Sequence, residues 1–146
     1  MTLKYGTTKG GKHAYDYLTT WDYSEDWPTD ANLCDNIPEN ANQADGPCTN
    51  WGADDLLPIP VDPNAAFTNG GPGGTLVPQP AGRNFTMRNG DMTSASTPVL
   101  ASGSYAADSD TNIDITFTVG NEPDACVTKQ GVTTCSVVLW FGAHVA

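Results

Sequence analysis

Residues 111–119 read Thr-Asn-Ile-Asp-Ile-Thr-Phe-Thr-Val, and residues 136–146 read Ser-Val-Val-Leu-Trp-Phe-Gly-Ala-His-Val-Ala. In the first stretch Ile113, Ile115, Phe117 and Val119 alternate with Asn112, Asp114, Thr116 and Thr118. A period of two marks a strand with one face buried and the other in water. In the second stretch Val137 to Phe141 is apolar without alternation, which fits a strand covered on both faces. Cys126 and Cys135 lie on the two flanks of the segment between them, where a hairpin would bring them together.

Working outward, the rest of the chain also favours strands. Thr2–Tyr5 is a short candidate strand, followed by a glycine-rich turn at 6–11. Residues 12–20 contain few breakers and place Ala14 and Leu18 four apart, so one short helix is expected there. Asn84–Arg88 and Asp91–Ala95 flank Asn89-Gly90, a pair that tolerates positive φ and predicts a hairpin. Thr97–Tyr105 reads as a further strand, with Pro98 placing its start at an edge or bulge. The fold class expected is all-β: an antiparallel β-sandwich, immunoglobulin-like, prealbumin-like or jelly-roll, with one short helix.

Between Thr29 and Gly82 this pattern vanishes. Eight of the eleven prolines fall there, with glycines at 70–71 and 73–74. Proline lacks the backbone donor that a central strand needs, so 29–82 is expected to be a long irregular loop region within a single domain spanning 1–146. Its recurring apolar residues, among them Leu33, Trp51, Leu56 and Ile59, imply that it is ordered and lies across one face of the sheet, the face showing Trp140. The four cysteines have no Cys-x-x-Cys spacing, which argues for an oxidising compartment rather than zinc. Pairing Cys34 with Cys48 and Cys126 with Cys135 closes one local loop each; the alternative ties the first loop to the later pair.

Composition narrows the function classes. Seventeen acidic residues against six basic ones give a net charge of −11, a poor surface for phosphate, so nucleic acid is not an expected partner. Lys4, Lys9 and Lys12 sit in the first twelve residues, leaving three cations against seventeen acids, a net −14, in 13–146. This asymmetry is a solvated surface or a basic end that docks on an acidic neighbour. The longest apolar runs are far below the 18 residues of a membrane span, and no secretion leader is visible at residues 1–20, so the sequence is expected to be part of a longer chain or to have lost a leader. Asn84-Phe85-Thr86 is a glycosylation sequon.

Two patches resemble a family. They are Gly10-Gly11-Lys12-His13-Ala14-Tyr15-Asp16-Tyr17-Leu18-Thr19-Thr20, and Ile113 to Thr118 with Val138 to Ala146; Asn84 to Met87 and Pro58 to Pro63 fit the same pattern. Together they look like an uncharacterised β-sandwich domain of large secreted microbial surface proteins. Phe141 and Ala143 depart from the small residues of that pattern, and the cysteine-bearing segment from Val119 to Ser136 is longer. The resemblance implies an extracellular surface or assembly role and carries no catalytic residues.

Several groups of side chains invite chemistry. Asp108, Asp110, Asn112 and Asp114 present oxygens at alternate positions, as a calcium loop does, although the glycine and the final glutamate of such a loop are missing. An acidic turn leading into a strand is the other reading. Further carboxylates gather at Asp22, Glu25, Asp26 and Asp30, and at Asp54, Asp55 and Asp62. His13 and His144 are the only histidines, and Asp16 follows His13 by three, so a His–Asp pair is conceivable beside a packing role for both. Trp21, Tyr23, Trp27 and Trp51 lie in or near the acid-rich loop and are candidates for stacking on sugar, or else for the core. No nucleophile elbow and no unpaired cysteine is evident. The function expected is a non-enzymatic structural domain of an extracellular surface protein or filament, with calcium as its one candidate cofactor and copies of itself or neighbouring domains as partners. The alternative is a carbohydrate-binding or adhesin module using the loop aromatics.

Overall fold

A computed structural model of the chain describes residues 1–10, 12–21, 34, 48–63, 77–104 and 107–145, with the backbone alone at Lys12 and His13. It is an all-β sandwich. The strands are β1 (Thr2–Lys9), β2 (Lys12–His13), β3 (Tyr15–Thr19), β4 (Asp55–Pro58), β5 (Asn84–Arg88), β6 (Gly90–Ala95), β7 (Val99–Gly103), β8 (Ser109–Val119), β9 (Cys126–Lys129), β10 (Val132–Cys135), β11 (Val138–Trp140) and β12 (Gly142–Val145). Two single 3₁₀ turns, Cys48–Asn50 and Pro123–Ala125, are the only helical elements among the described residues.

β8 is the spine of one layer. Its burial alternates as its sequence does: Ser109, Thr111, Ile113 and Ile115 point inward, while Asp110, Asn112, Asp114 and Thr116 point out. β1 pairs antiparallel along one edge, from Thr2 opposite Asp114 to Thr8 opposite Ser109. β6 and β7 pair antiparallel with its two halves, from Gly90 opposite Val119 to Gly103 opposite Ser109. Ladder parity shows that β6 and β7 share the other edge. Ile115 exchanges both backbone bonds with Met1, whereas the Asp114 carbonyl accepts from the Ser96 amide. Odd residues of β8 therefore bond toward β1 and even ones toward β6 and β7.

The second layer is built on β5, flanked by β4 and β11, and on the β3–β12 pair. β11 and β12 are two halves of one run separated by Phe141. Between the layers lie Leu18, Ile59, Phe85, Met87, Met92, Ile113 and Ile115, with Leu3, Tyr5, Leu139 and Phe141 packed around them.

Two expectations are corrected. Residues 12–20 form strands, not a helix. Ala14 and Leu18 are four apart, but positions i and i+4 share a face in a strand as well as in a helix. Tyr15, Tyr17, Thr19 and Thr20 tip the balance toward extended structure, and β3 finds its partner in β12. The Asn89-Gly90 turn does have positive φ at Asn89 (53°), yet it joins no hairpin. β5 belongs to one layer and β6 to the other, so the turn carries the chain across the sandwich. A true hairpin occurs at β9–β10, where Gln130 (φ 51°) and Gly131 (φ 78°) make the turn and Cys126 stands opposite Cys135.

Both expected disulfides are present, Cys34–Cys48 and Cys126–Cys135. β4 arises within the proline-rich region and lies at the end of its sheet path, where Pro58 is tolerated.

Candidate functional site

The outer face of the second layer carries the densest set of candidate residues. In β11, Leu139 points into the sandwich, so Val138 and Trp140 point away from it. There they meet Cys34, Cys48, Trp51 and Ala125, with Trp21 packed alongside, in a second apolar cluster. Cys34, Cys48 and Trp51 of the proline-rich region thus lie over the face showing Trp140, as its apolar content predicts, whereas Asp55–Pro58 of the expected irregular loop is a strand of the sheet itself and Ile59 enters the core between the layers. Arg88 clamps it. Its guanidinium meets Asp54 at 2.5 Å, donates to the Cys34 sulfur and the Cys48 carbonyl at 3.2 Å, and lies 6.0 Å from the centre of the Trp140 ring.

This arrangement decides how the sugar-stacking candidates sit. Trp51 is 5% exposed and Trp140 is 7% exposed, and Trp21 is half-buried against the same cluster. Trp51 and Trp21 are therefore packed mainly against protein; Trp27 and Tyr23 lie outside the described residues. Trp51 also lines a pocket of about 200 Å³, together with Gly52, Asn89, Asp91, Asn121 and Glu122 among others. Asn89 is its structural centre. Its side chain donates to the Ser136 carbonyl (2.7 Å) and accepts from the Glu122 amide (3.1 Å), while its backbone bonds Trp51 and Gly120.

The acidic positions Asp108, Asp110, Asn112 and Asp114 are not brought together. Along a strand, alternate residues are about 6.6 Å apart, too far for consecutive carboxylates to share one small cation without a loop. Each carboxylate has its own partner: Asp108 accepts from the Gly10 amide (2.7 Å), Asp114 from the Thr2 hydroxyl (2.5 Å), and Asp110 from Ser102 (2.9 Å) while pairing with Lys4 (3.1 Å) and Lys9 (3.5 Å). The hydrogen bond from Lys4, then that from Ser102, holds the Asp110 carboxyl below its ordinary range. Asp55 accepts from the Met92 amide (2.7 Å) and Asp62 from the Tyr5 hydroxyl (2.8 Å), so that group is dispersed too. Asp22, Glu25, Asp26 and Asp30 lie outside the described residues. No group of three or more His, Cys, Asp or Glu side chains converges among the described residues.

Asp16 does pair with a histidine, but with His144 rather than as a helical neighbour of His13. Strand pairing of β3 with β12 sets Asp16 Oδ2 2.9 Å from His144 Nδ1. A carboxylate only accepts, so Nδ1 donates, and the His144 side chain is half-exposed. Tyr17 stacks on the imidazole with centroids 4.9 Å apart. Asp16 is 3% exposed and its Oδ1 has no hydrogen-bond partner. The pair lacks a nucleophile or second ligand among the described residues, so its evident work is to join the two strands.

Arg83 carries no signal in the sequence. It is buried, with its guanidinium 5.0 Å from the Tyr17 ring, and donates to the Leu18 and Pro80 carbonyls and to Gln79. Desolvation lowers its pKa, partly offset by Tyr17, Tyr5 and Asp62. Through Gln79, which brackets Asp62 with two bonds, Arg83 links the proline-rich segment to both layers.

Comparison with known proteins finds no matching family, curated sequence or solved structure. The two disulfides fit an oxidising, extracellular setting, and no helix among the described residues is long and apolar enough to cross a membrane.

Proposed function

We propose that this chain is a non-enzymatic structural domain of an extracellular surface protein or filament, serving as a subunit or a stalk repeat. One observation carries the reading: the stapled, aromatic loop that resembles a ligand site in sequence is spent as a second core, with Trp51 and Trp140 buried beside Cys34–Cys48. A binding module that stacks on sugar keeps such rings exposed; a domain that must survive outside the cell buries and cross-links them. The resemblance of the Lys12–Tyr17 and Trp140–Ala146 segments to a domain of microbial surface proteins supports the same assignment, as does the acidic surface, which keeps crowded copies soluble. Calcium bound to that surface would be a stabilising ion in this reading, not a catalytic one.

Antibodies raised against the folded domain are expected to label intact cells of the producing organism. Labelling that appears only after the cells are permeabilised would contradict the proposal.

A further inference from the structure

Asn89 is followed by Gly90, and that pair carries a chemistry besides turn formation. In an unfolded chain the Gly90 amide nitrogen can attack the side-chain carbonyl carbon of Asn89. A C–N bond closes a five-membered succinimide, and the side-chain amide leaves as ammonia. Water then opens the ring at one carbonyl or the other, giving aspartate or isoaspartate. The sum is asparagine plus water to aspartate plus ammonia, with no oxidant or cofactor. Glycine makes the step fast, because no Cβ on the attacking residue crowds it.

The fold withholds what the reaction needs. Asn89 is 4% exposed, so water and base are kept from it. Its Nδ2 donates to the Ser136 carbonyl (2.7 Å) and its Oδ1 accepts from the Glu122 amide (3.1 Å). Both ends of the amide that must swing and become tetrahedral are therefore tied. The backbone is held as well: its N–H donates to the Trp51 carbonyl (3.2 Å), and its carbonyl accepts from the Gly120 amide (2.8 Å). Trp51 belongs to the stapled loop, Gly120 and Glu122 follow β8, and Ser136 follows β10. Freeing Asn89 thus requires several segments to part, a sub-global opening rather than the fraying of one turn. The products do not fit the joint either. Aspartate sets a carboxylate oxygen against the Ser136 carbonyl, two groups that only accept. Isoaspartate adds a methylene to the backbone where the chain crosses between the layers.

We propose that Asn89 is a modification site gated by unfolding. It is locked in the native state, converts to aspartate or isoaspartate when the domain opens, and cannot then rebuild the joint. The domain so carries a one-way covalent record of having unfolded.

Mass spectrometry of the peptide containing Asn89, after incubation at mildly alkaline pH, reads the result. In urea Asn89 is expected to convert at the rate of Asn69, the chain's other asparagine followed by glycine, which lies outside the described residues. In native buffer conversion at Asn89 is expected to be at least about tenfold slower than in urea. Ile113→Val trims a core side chain well along β8 from Gly120, and is expected to speed the native conversion about two- to tenfold. Asn89→Asp, the product made genetically, is expected to raise the unfolded-to-folded ratio at a given urea concentration at least about tenfold. Equal rates at Asn89 in native buffer and in urea, or a native rate indifferent to Ile113→Val, would overturn the gating. An Asn89→Asp chain as stable as the wild type would overturn the one-way step.

Discussion

Replacing Asn89 by alanine is expected to destabilise the domain by about 3–4 kcal/mol in chemical denaturation, with little change in the denaturant slope. Two effects combine. Alanine in the left-handed region that Asn89 occupies (φ 53°) costs about 1–2 kcal/mol, because Cβ crowds the carbonyl. Removing the amide leaves the Ser136 carbonyl and the Glu122 amide without partners, at about 1–3 kcal/mol in partly buried surroundings. Asn89→Gly, which tolerates the dihedral but makes neither side-chain bond, is expected to lose about half as much. Equal losses for alanine and glycine would show that the dihedral contributes nothing.

The second large effect is expected from opening the loop staple. Cys34→Ser with Cys48→Ser should cost at least about 3 kcal/mol, the chain-entropy value for a loop of this length. Cys34 and Cys48 are both buried in the cluster around Trp140, so the loss includes packing as well as the cross-link. Arg88 would also lose its sulfur contact. The corresponding change at Cys126 and Cys135 should cost less, about 2 kcal/mol, because both are only half-buried and the β9–β10 ladder holds the hairpin without them. Thermal or urea unfolding of the two double variants side by side checks the order; a greater loss at the hairpin would refute it.

These two sites show where sequence reasoning succeeds and where it stops. β8 was legible because Ile113 and Ile115 alternate with Asp114 and Thr116, a local pattern that water on one face dictates. Both disulfides were legible because each closes a short loop. The strand at 15–19 was misread because Ala14 and Leu18 satisfy either period, and its partner, β12, lies at the far end of the chain. At Asn89 the local signal was right about the backbone and wrong about the connection. A positive φ dictates a turn, but which strand β6 then joins depends on β8, more than twenty residues on. The Asp16–His144 pair spans 128 positions in sequence and the Arg83–Leu18 bond spans 65, distances that no spacing rule reaches.

The loop tryptophans were the hardest to read. An aromatic in an acidic, proline-rich segment looks the same whether it faces a sugar or the back of a sheet. What distinguishes them here is the outward set of β11, Val138 and Trp140, an apolar face that needs a cover. Trp51 and the stapled cysteines supply it.

The most direct measurement of that claim is the unfolding free energy of Trp51→Ala, taken together with binding of the wild-type and variant chains to a broad glycan array. If the loop is core, truncating a tryptophan that is 5% exposed should cost about 3–5 kcal/mol, and neither chain should bind glycans. Stability unchanged within about 0.5 kcal/mol, with a glycan signal present in the wild type and lost in the variant, would contradict the account.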